Sequence, residues 1–140
     1  MQHQQFKDLG LQSEYQKFLA KVAPRFIEIE QFCNEVPEDN VGILKRMLYQ
    51  YAVYTNFLSF NYSFAVKFYK LALAQAWSET EDFKGHEERR VRATVEAQCI
   101  EQEALMLHFD KLIRGLGTSL TAIQTAINAE RNLMSNRENQ

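Results

Sequence analysis

The feature that most constrains the fold is a proline-free, strongly apolar segment at residues 41–77. Apolar side chains recur along it at alternating steps of four and three residues, which is the heptad spacing of a long α-helix that packs along its length. A second apolar stripe runs beside the first, so we expect this helix to pack on several neighbours, in this chain or in a partner chain. The first stripe contains Leu44, Leu48, Tyr51, Thr55, Leu58, Tyr62, Ala65, Tyr69, Ala72 and Ala76.

The rest of the chain is predicted to be helical around this segment. Pro24 either opens a new helix at its first turn or kinks a continuing one, so we expect one or two N-terminal helices. The glycines at residues 115–117 leave two alternatives for the return helix, a bend or an uninterrupted helix. The predicted fold is all-α, a single domain over residues 1–140 in which one or two shorter N-terminal helices pack on a long antiparallel helical hairpin. The predicted elements are N-terminal helices at 1–37, a first long helix at 38–81, a return helix at 86–134 and a frayed tail at 135–140.

The composition agrees with a globular helical protein. Hydrophobic residues make up 46% of the chain and charged residues 24%, which is unlike a disordered protein. Five glycines and two prolines provide too few turns for an all-β fold. The polar N-terminal segment lacks the apolar stretch of a signal peptide, and no apolar run is long enough for a transmembrane helix. Cys33 and Cys99 lie far apart in the sequence, which is typical of reduced intracellular thiols. We therefore expect a cytoplasmic protein without membrane association.

The histidines and cysteines lack the neighbours that catalysis or metal binding requires. His86 is followed directly by two glutamates, which point to other faces of a helix, and His108 has Asp110 only two residues away. Neither cysteine has a histidine within helical reach that could act as its base. The sequence therefore predicts a non-enzymatic protein with no catalytic residues, no metal site, no cofactor and no small-molecule substrate.

Charge is distributed unevenly along the chain. The net charge is −3 for residues 1–40, +4 for residues 41–78 and −3 for residues 79–140. The middle segment has four basic residues, no Asp or Glu, and ten of the seventeen aromatic residues of the chain. Five of these ten are tyrosines, which suit surfaces that are partly apolar and partly wet. The segment is therefore a candidate binding surface.

Such a surface can hold a single nucleic-acid strand, with phosphates on Lys and Arg and bases stacked on aromatic rings. If the two long helices fold back near residue 82, the cations that follow the turn approach those at the end of the first long helix. The candidate nucleic-acid-binding residues are Lys67, Lys70, Lys84, Arg89, Arg90 and Arg92. The simpler alternative is that the aromatic residues belong to a core or an oligomer interface and that the cations form a solvated face.

Four consecutive segments carry a family resemblance. AVKFYKLALAQAW is rich in basic and aromatic residues, SETEDFKG is acidic with a glycine, HEERRVRATVEAQ is rich in Glu and Arg, and DKLIRGLGTSLTAIQTAI contains many small residues. This order, within residues 41–130, resembles the UvsY-like recombination mediators of phages. The resemblance implies a ring-forming oligomer that binds single-stranded DNA and helps to load a recombinase onto strands coated with single-strand-binding protein. It also implies DNA contacts by Lys67, Lys70, Arg89, Arg90 and Arg92. The cytoplasm in question is the host's if the chain is phage-encoded.

An alternative function is a structural, assembly or adaptor role, as a phage virion component or a protein-binding regulator. The long helix has a wider apolar surface than one hairpin buries, so its aromatic face is a candidate for self-association or partner binding. The candidate oligomer-interface residues are Tyr51, Tyr54, Phe57, Leu58, Phe64 and Phe68.

Overall fold

The structure, a computed structural model, describes residues 6–80 and 87–139. These two ranges contain four α-helices and no β-strand. The all-α fold is confirmed, and so is the helical hairpin with a shorter N-terminal helix packed on it. None of the described helices is both long and apolar enough to cross a membrane. The helices are α1 (Leu9–Cys33), α2 (Val41–Glu79), α3 (Glu88–Gln98) and α4 (Ile100–Glu138).

Polar side chains determine where α1 and α2 begin. The Leu11 backbone N–H donates to the Asp8 carboxylate at 3.1 Å. The Gly42 backbone N–H donates to Asn40 Oδ1 at 2.9 Å, and the next N–H donates to the same oxygen at 3.2 Å. Both side chains satisfy N–H groups that the first helical turn leaves without an intrahelical acceptor. The first long helix therefore begins at Val41, just after the predicted loop.

The N-terminal segment forms one helix rather than two, because α1 continues through Pro24. Proline holds φ at about −65°, a helical value, and removes one backbone hydrogen bond from a helix interior. The helical spacing of the apolar residues continues on both sides of Pro24, with Val22 and Ile29 buried. Burial of this apolar face outweighs the local cost of the proline.

The return segment differs from the prediction of a single helix at residues 86–134. Helix α3 ends at Gln98, and Cys99 interrupts the helical geometry with φ −103° and ψ 12° before α4 begins. The Cys99 N–H donates to the Glu96 carbonyl at 3.2 Å, the tighter pattern of a 3₁₀ turn. Gln98, which the heptad spacing places in the core, is exposed, and Cys99 is buried instead. Burying a small apolar thiol avoids the cost of desolvating an amide.

Helix α4 runs without interruption through Gly115 and Gly117, so the continuous alternative is the one found. Two helical glycines cost about 1 kcal/mol each, which the packing of a long helix outweighs. The prediction of a frayed tail at residues 135–140 is wrong as far as Glu138, where α4 ends. Arg137 in the last turn interacts favourably with the negative end of the helix dipole.

The contacts divide the chain into two compact units. Unit 1 consists of Met1–Pro24 and Phe60–Phe109, and unit 2 consists of Arg25–Ser59 and Asp110–Gln140. Each unit therefore contains a part of α1, a part of α2 and a part of α4.

Aromatic rings form the core of unit 1. The Tyr15 ring centroid is 5.4 Å from that of Phe6 and 5.1 Å from that of Phe68. The Phe18 ring stacks on Phe109 of α4 with a centroid distance of 6.3 Å. These distances and tilts are those that the ring quadrupoles favour, so the cluster joins α1, α2 and α4 within the unit.

Helices α2 and α4 are antiparallel in unit 1. The Tyr62 ring lies against Phe109, with centroids 6.2 Å apart. Tyr69, further along α2, lies within electrostatic reach of Glu103, which is earlier in α4. Residue numbers thus rise along one helix as they fall along the other.

The core of unit 2 is mainly aliphatic, with one aromatic pair, Phe32 and Tyr54, at a centroid distance of 5.3 Å. Helices α1 and α4 approach closely in this unit, because a Cβ atom on Gly115 would be 3.1 Å from Cys33 Sγ. The absent side chain of Gly115 therefore leaves room for the cysteine. The buried hydrophobic residues of unit 2 are Ile29, Phe32, Leu44, Met47, Leu58, Leu112, Leu116 and Ile123.

Candidate nucleic-acid interface

A groove between α1 and α2 in unit 1 brings basic and aromatic side chains together. Its volume is about 330 Å³, at the lower end of the range for ligand-binding clefts. On each helix the lining residues are three or four positions apart, so they lie on one face. The lining residues are Glu14, Lys17, Phe18 and Lys21 of α1 with Asn61, Phe64, Lys67 and Phe68 of α2.

The groove has an apolar floor and a charged rim. Phe18, Phe68 and the amide residue Asn61 are buried and form the floor. Lys17, Lys21, Lys67 and Glu14 are exposed along the rim. Three lysines and one glutamate leave the lining with two net positive charges, so the rim attracts an anion.

Two exposed phenylalanine rings lie on α2 at this groove. Phe60 is 61% exposed, which is high for a large apolar side chain, and Phe64 is also exposed. Their ring centroids are 5.4 Å apart in an edge-to-face arrangement. Lys21 Nζ lies 5.6 Å from the Phe60 ring centroid, within the range of a cation–π contact. An aromatic face beside a lysine can accept a base and its phosphate together.

The structure separates the predicted nucleic-acid-binding residues. Lys67 lines the groove with the lysines of α1, whereas Lys70 and the α3 arginines are absent from its lining. Lys70 and the three arginines are exposed. Arg92 forms an ion pair with Glu88 at 3.5 Å, which is a weak surface contact. Lys84 lies outside the described residues. The predicted arginines are therefore available for binding, but only Lys67 is part of the groove.

The predicted oligomer-interface residues mostly face the interior of the chain. Leu58 is fully buried and Phe68 is 3% exposed, so including these two was wrong. A side chain without accessible surface has none to offer to a partner. Tyr51, Tyr54 and Phe57 are half-buried, and only Phe64 is exposed.

Lys17, Lys21 and Phe60 were not among the predicted site residues, although the sequence holds a signal for them. The two lysines flank Phe18 and are four residues apart, which places them on one face of α1. Which face of α2 meets that face of α1 depends on packing, and the sequence pattern does not contain it.

The thiols are poorly suited to nucleophilic chemistry. Burial raises the pKa of the Cys99 thiol, and Glu103 raises it further. Burial also raises the pKa of the Cys33 thiol, an effect that a hydrogen bond with Ser119 partly offsets. Since the thiolate is the reactive form, a raised pKa lowers reactivity at neutral pH. Within residues 6–80 and 87–139, no group of three or more His, Cys, Asp or Glu side chains could hold a metal ion.

Comparison with known protein families found no matching family model, and comparisons with curated proteins and with solved structures found no match. The groove in unit 1 is therefore the main observation from which a function can be argued.

Proposed function

We propose that this chain is a non-enzymatic protein that binds single-stranded DNA in the α1–α2 groove of unit 1. The observation that carries the proposal is the combination of three exposed lysines, Lys17, Lys21 and Lys67, with the exposed ring of Phe60. Lysines provide affinity for phosphates, and exposed rings provide stacking for unpaired bases. A duplex has no unstacked bases to offer to these rings, which favours the single strand.

A binding titration at several salt concentrations tests this proposal. If the three lysines neutralise up to three phosphates, the logarithm of the association constant falls against log salt with a slope of about −2 for a single strand. The measurement is fluorescence anisotropy of a labelled oligothymidine, with the same sequence as a duplex for comparison. No binding at low salt, or binding that does not respond to salt, would contradict the proposal.

Single substitutions locate the binding surface. Lys67→Ala is expected to weaken binding roughly three- to tenfold and to reduce the salt slope by about 0.7, because one phosphate contact is lost. The matched control is Lys45→Ala, an exposed lysine of the same helix that does not line the groove. Arg89→Ala and Arg90→Ala test the predicted arginine cluster in the same assay. An effect in these arginine variants without one in Lys67→Ala would move the binding site to α3.

The biological setting that we propose is recombination mediation, and the resemblance to the UvsY-like family supports it. In this setting the protein helps a recombinase to displace single-strand-binding protein from DNA. The test is a recombinase filament assay on strands coated with single-strand-binding protein, with and without this chain. Loading that does not change would reject mediation and leave DNA binding standing.

A second candidate is an assembly or adaptor role. Exposed apolar side chains outside the groove favour it, notably Tyr49, which is 71% exposed, and Ile100, which is 67% exposed. Large apolar side chains at such exposure often mark association surfaces. Light scattering over a concentration series separates an associating protein from a monomer.

A further inference from the structure

An apolar ridge is exposed on the outward face of α3 and α4. Ile100 is 67% exposed and Leu107 is 54% exposed. Ala97 and Ala104 are also exposed and continue the ridge at steps of three and four residues. This is the heptad spacing that presents one continuous face to another helix. The small alanines would let a partner helix approach closely between the two larger side chains.

Acidic side chains flank this ridge. Glu96 is exposed and Glu103 is half-exposed, and both lie along one edge because they are seven residues apart. Glu101 is exposed on the opposite edge. Two ridges facing each other would bring these carboxylates together, and like charges across an interface disfavour contact. The ridge therefore fits a basic partner surface and not a second ridge.

A surface of the required chemistry is exposed on α2 of the same chain. Tyr49 is 71% exposed, and Val53 is exposed one turn further along the same face. Lys45 and Arg46 are exposed one turn before Tyr49. Because residues 41–78 contain no Asp or Glu, no acid of this segment repels an acidic partner. Tyr and Arg are also among the residues that contribute most at protein interfaces.

We propose that the ridge of one copy, Ala97 to Leu107, docks on the basic α2 patch of a second copy, formed by Lys45, Arg46, Tyr49 and Val53. Apolar side chains pack in the centre, and Glu96 and Glu103 face the two cations. The two contacting surfaces differ, so each bound copy leaves one free ridge and one free patch. Such a heterologous contact adds further copies until a ring closes or a filament forms.

The contact is modest in size. One helix face on another buries less than the roughly 1,600 Å² of a standard stable interface. We therefore expect self-association that grows with protein concentration and weakens with salt, since the flanking charges are screened. The patch and the ridge do not include the groove residues, so this inference is independent of DNA binding.

Sedimentation velocity of the full chain over a concentration series tests the inference. The wild-type sedimentation coefficient is expected to rise with concentration and to rise less at high salt. Glu96→Lys/Glu103→Lys and Lys45→Glu/Arg46→Glu are each expected to abolish the rise, because like charges then face each other. All four positions are at the surface, and circular dichroism confirms that each variant folds.

Mixing the two charge-reversed variants gives the decisive result. In the mixture, the unchanged patch of the first variant meets the unchanged ridge of the second, and the reversed patch meets the reversed ridge. Association is therefore expected to return. As a control for non-specific attraction, Lys21→Glu/Lys67→Glu replaces the patch variant in the mixture, and no recovery is expected.

Three outcomes would overturn the inference. They are a wild-type chain that stays monomeric throughout, association that ignores both charge reversals, and a mixture that does not recover. The groove variant Lys21→Glu/Lys67→Glu separates this inference from the proposed function. It should lose oligonucleotide binding and still associate as the wild type does.

Discussion

The inner and outer faces of α2 in unit 1 are both aromatic, yet their surroundings are opposite. On the inner face, Phe68 is 3% exposed and packs against Tyr15 and Phe18. On the outer face, Phe60 is 61% exposed and contacts only Phe64 and Lys21 among the ring contacts of the described residues. Aromatic content alone therefore does not identify a binding surface. Burial decides whether a ring stabilises the fold or can meet a ligand.

The largest expected effect comes from truncating each ring in turn. Phe68→Ala leaves a cavity in the aromatic core of unit 1 and is expected to lower the free energy of unfolding by about 3–5 kcal/mol. Phe60→Ala removes an exposed ring and is expected to change it by less than about 0.5 kcal/mol. Urea unfolding followed by circular dichroism measures both. Equal losses in the two variants would show that the faces do not differ as described.

The same outer ring should matter for binding. Phe60→Ala is expected to weaken oligothymidine binding by about 1–3 kcal/mol, the range for one base stacked on an aromatic ring. Trp77→Ala is the control, because Trp77 is an exposed aromatic residue of α2 that does not line the groove. Anisotropy titrations at one fixed salt concentration compare the two. A larger effect from Trp77 would place the stacking surface elsewhere on the helix.

Two glycines of α4 extend the comparison of faces to unit 2. A Cβ on Gly117 would meet nothing within 4 Å, so Gly117→Ala should stabilise the protein by about 0.5–1 kcal/mol. A Cβ on Gly115 would lie 3.1 Å from Cys33 Sγ, so Gly115→Ala should gain less or lose stability. Adding Cys33→Ala removes that sulfur, and Gly115→Ala should then stabilise relative to Cys33→Ala alone. Thermal unfolding of the five proteins, wild type included, measures these differences, and equal gains for both glycines would contradict the close approach.

The smallest effect at neutral pH is expected from Tyr15→Phe. Tyr15 is buried, and its hydroxyl has no hydrogen-bond partner among the described residues. Removing a buried hydroxyl without a partner should be neutral or stabilising by up to about 1 kcal/mol, because no hydrogen bond is lost. Urea unfolding at pH 7 measures this difference, and a loss above about 1 kcal/mol would indicate a partner for the hydroxyl.

The pH dependence gives a second test of Tyr15. Burial raises the pKa of Tyr15 well above its ordinary value, and Glu101 raises it further. The unfolded chain ionises first, at about pH 10, so the stability associated with Tyr15 is constant below that pH and is lost as pH rises further. Wild type should therefore lose stability above about pH 10 more steeply than Tyr15→Phe. Parallel curves for the two proteins would argue against the buried, protonated phenol.

The amino-acid sequence predicted the fold well because helical packing follows apolar spacing. All ten residues of the first heptad stripe on α2 are buried or half-buried. Such a stripe depends on the local period of the chain and on which side chains avoid water, and both can be read without a structure. The same rule failed at Gln98, where one residue of irregular backbone shifts the buried position to Cys99.

The candidate site was predicted only in part. Lys67 was identified because it lies in the acid-free segment, whereas Lys17 and Lys21 were missed because their segment is acidic overall, with a net charge of −3. Net charge averages over a segment, but a binding surface depends on which few side chains share one face. The predicted interface residues Leu58 and Phe68 failed for the same reason, since they were chosen by residue type and not by exposure.

The sequence by itself therefore determined that this chain is helical, where its long helix lies and which stripe of that helix is buried. Only the tertiary structure decided which lysines share a groove, which rings remain exposed, and that Gly115 makes room for Cys33. The physical reason is the range of the interactions. Helix formation and apolar periodicity act within a few turns of one segment. Grooves and exposed patches arise where segments distant in sequence pack together, and their shape depends on both partners at once.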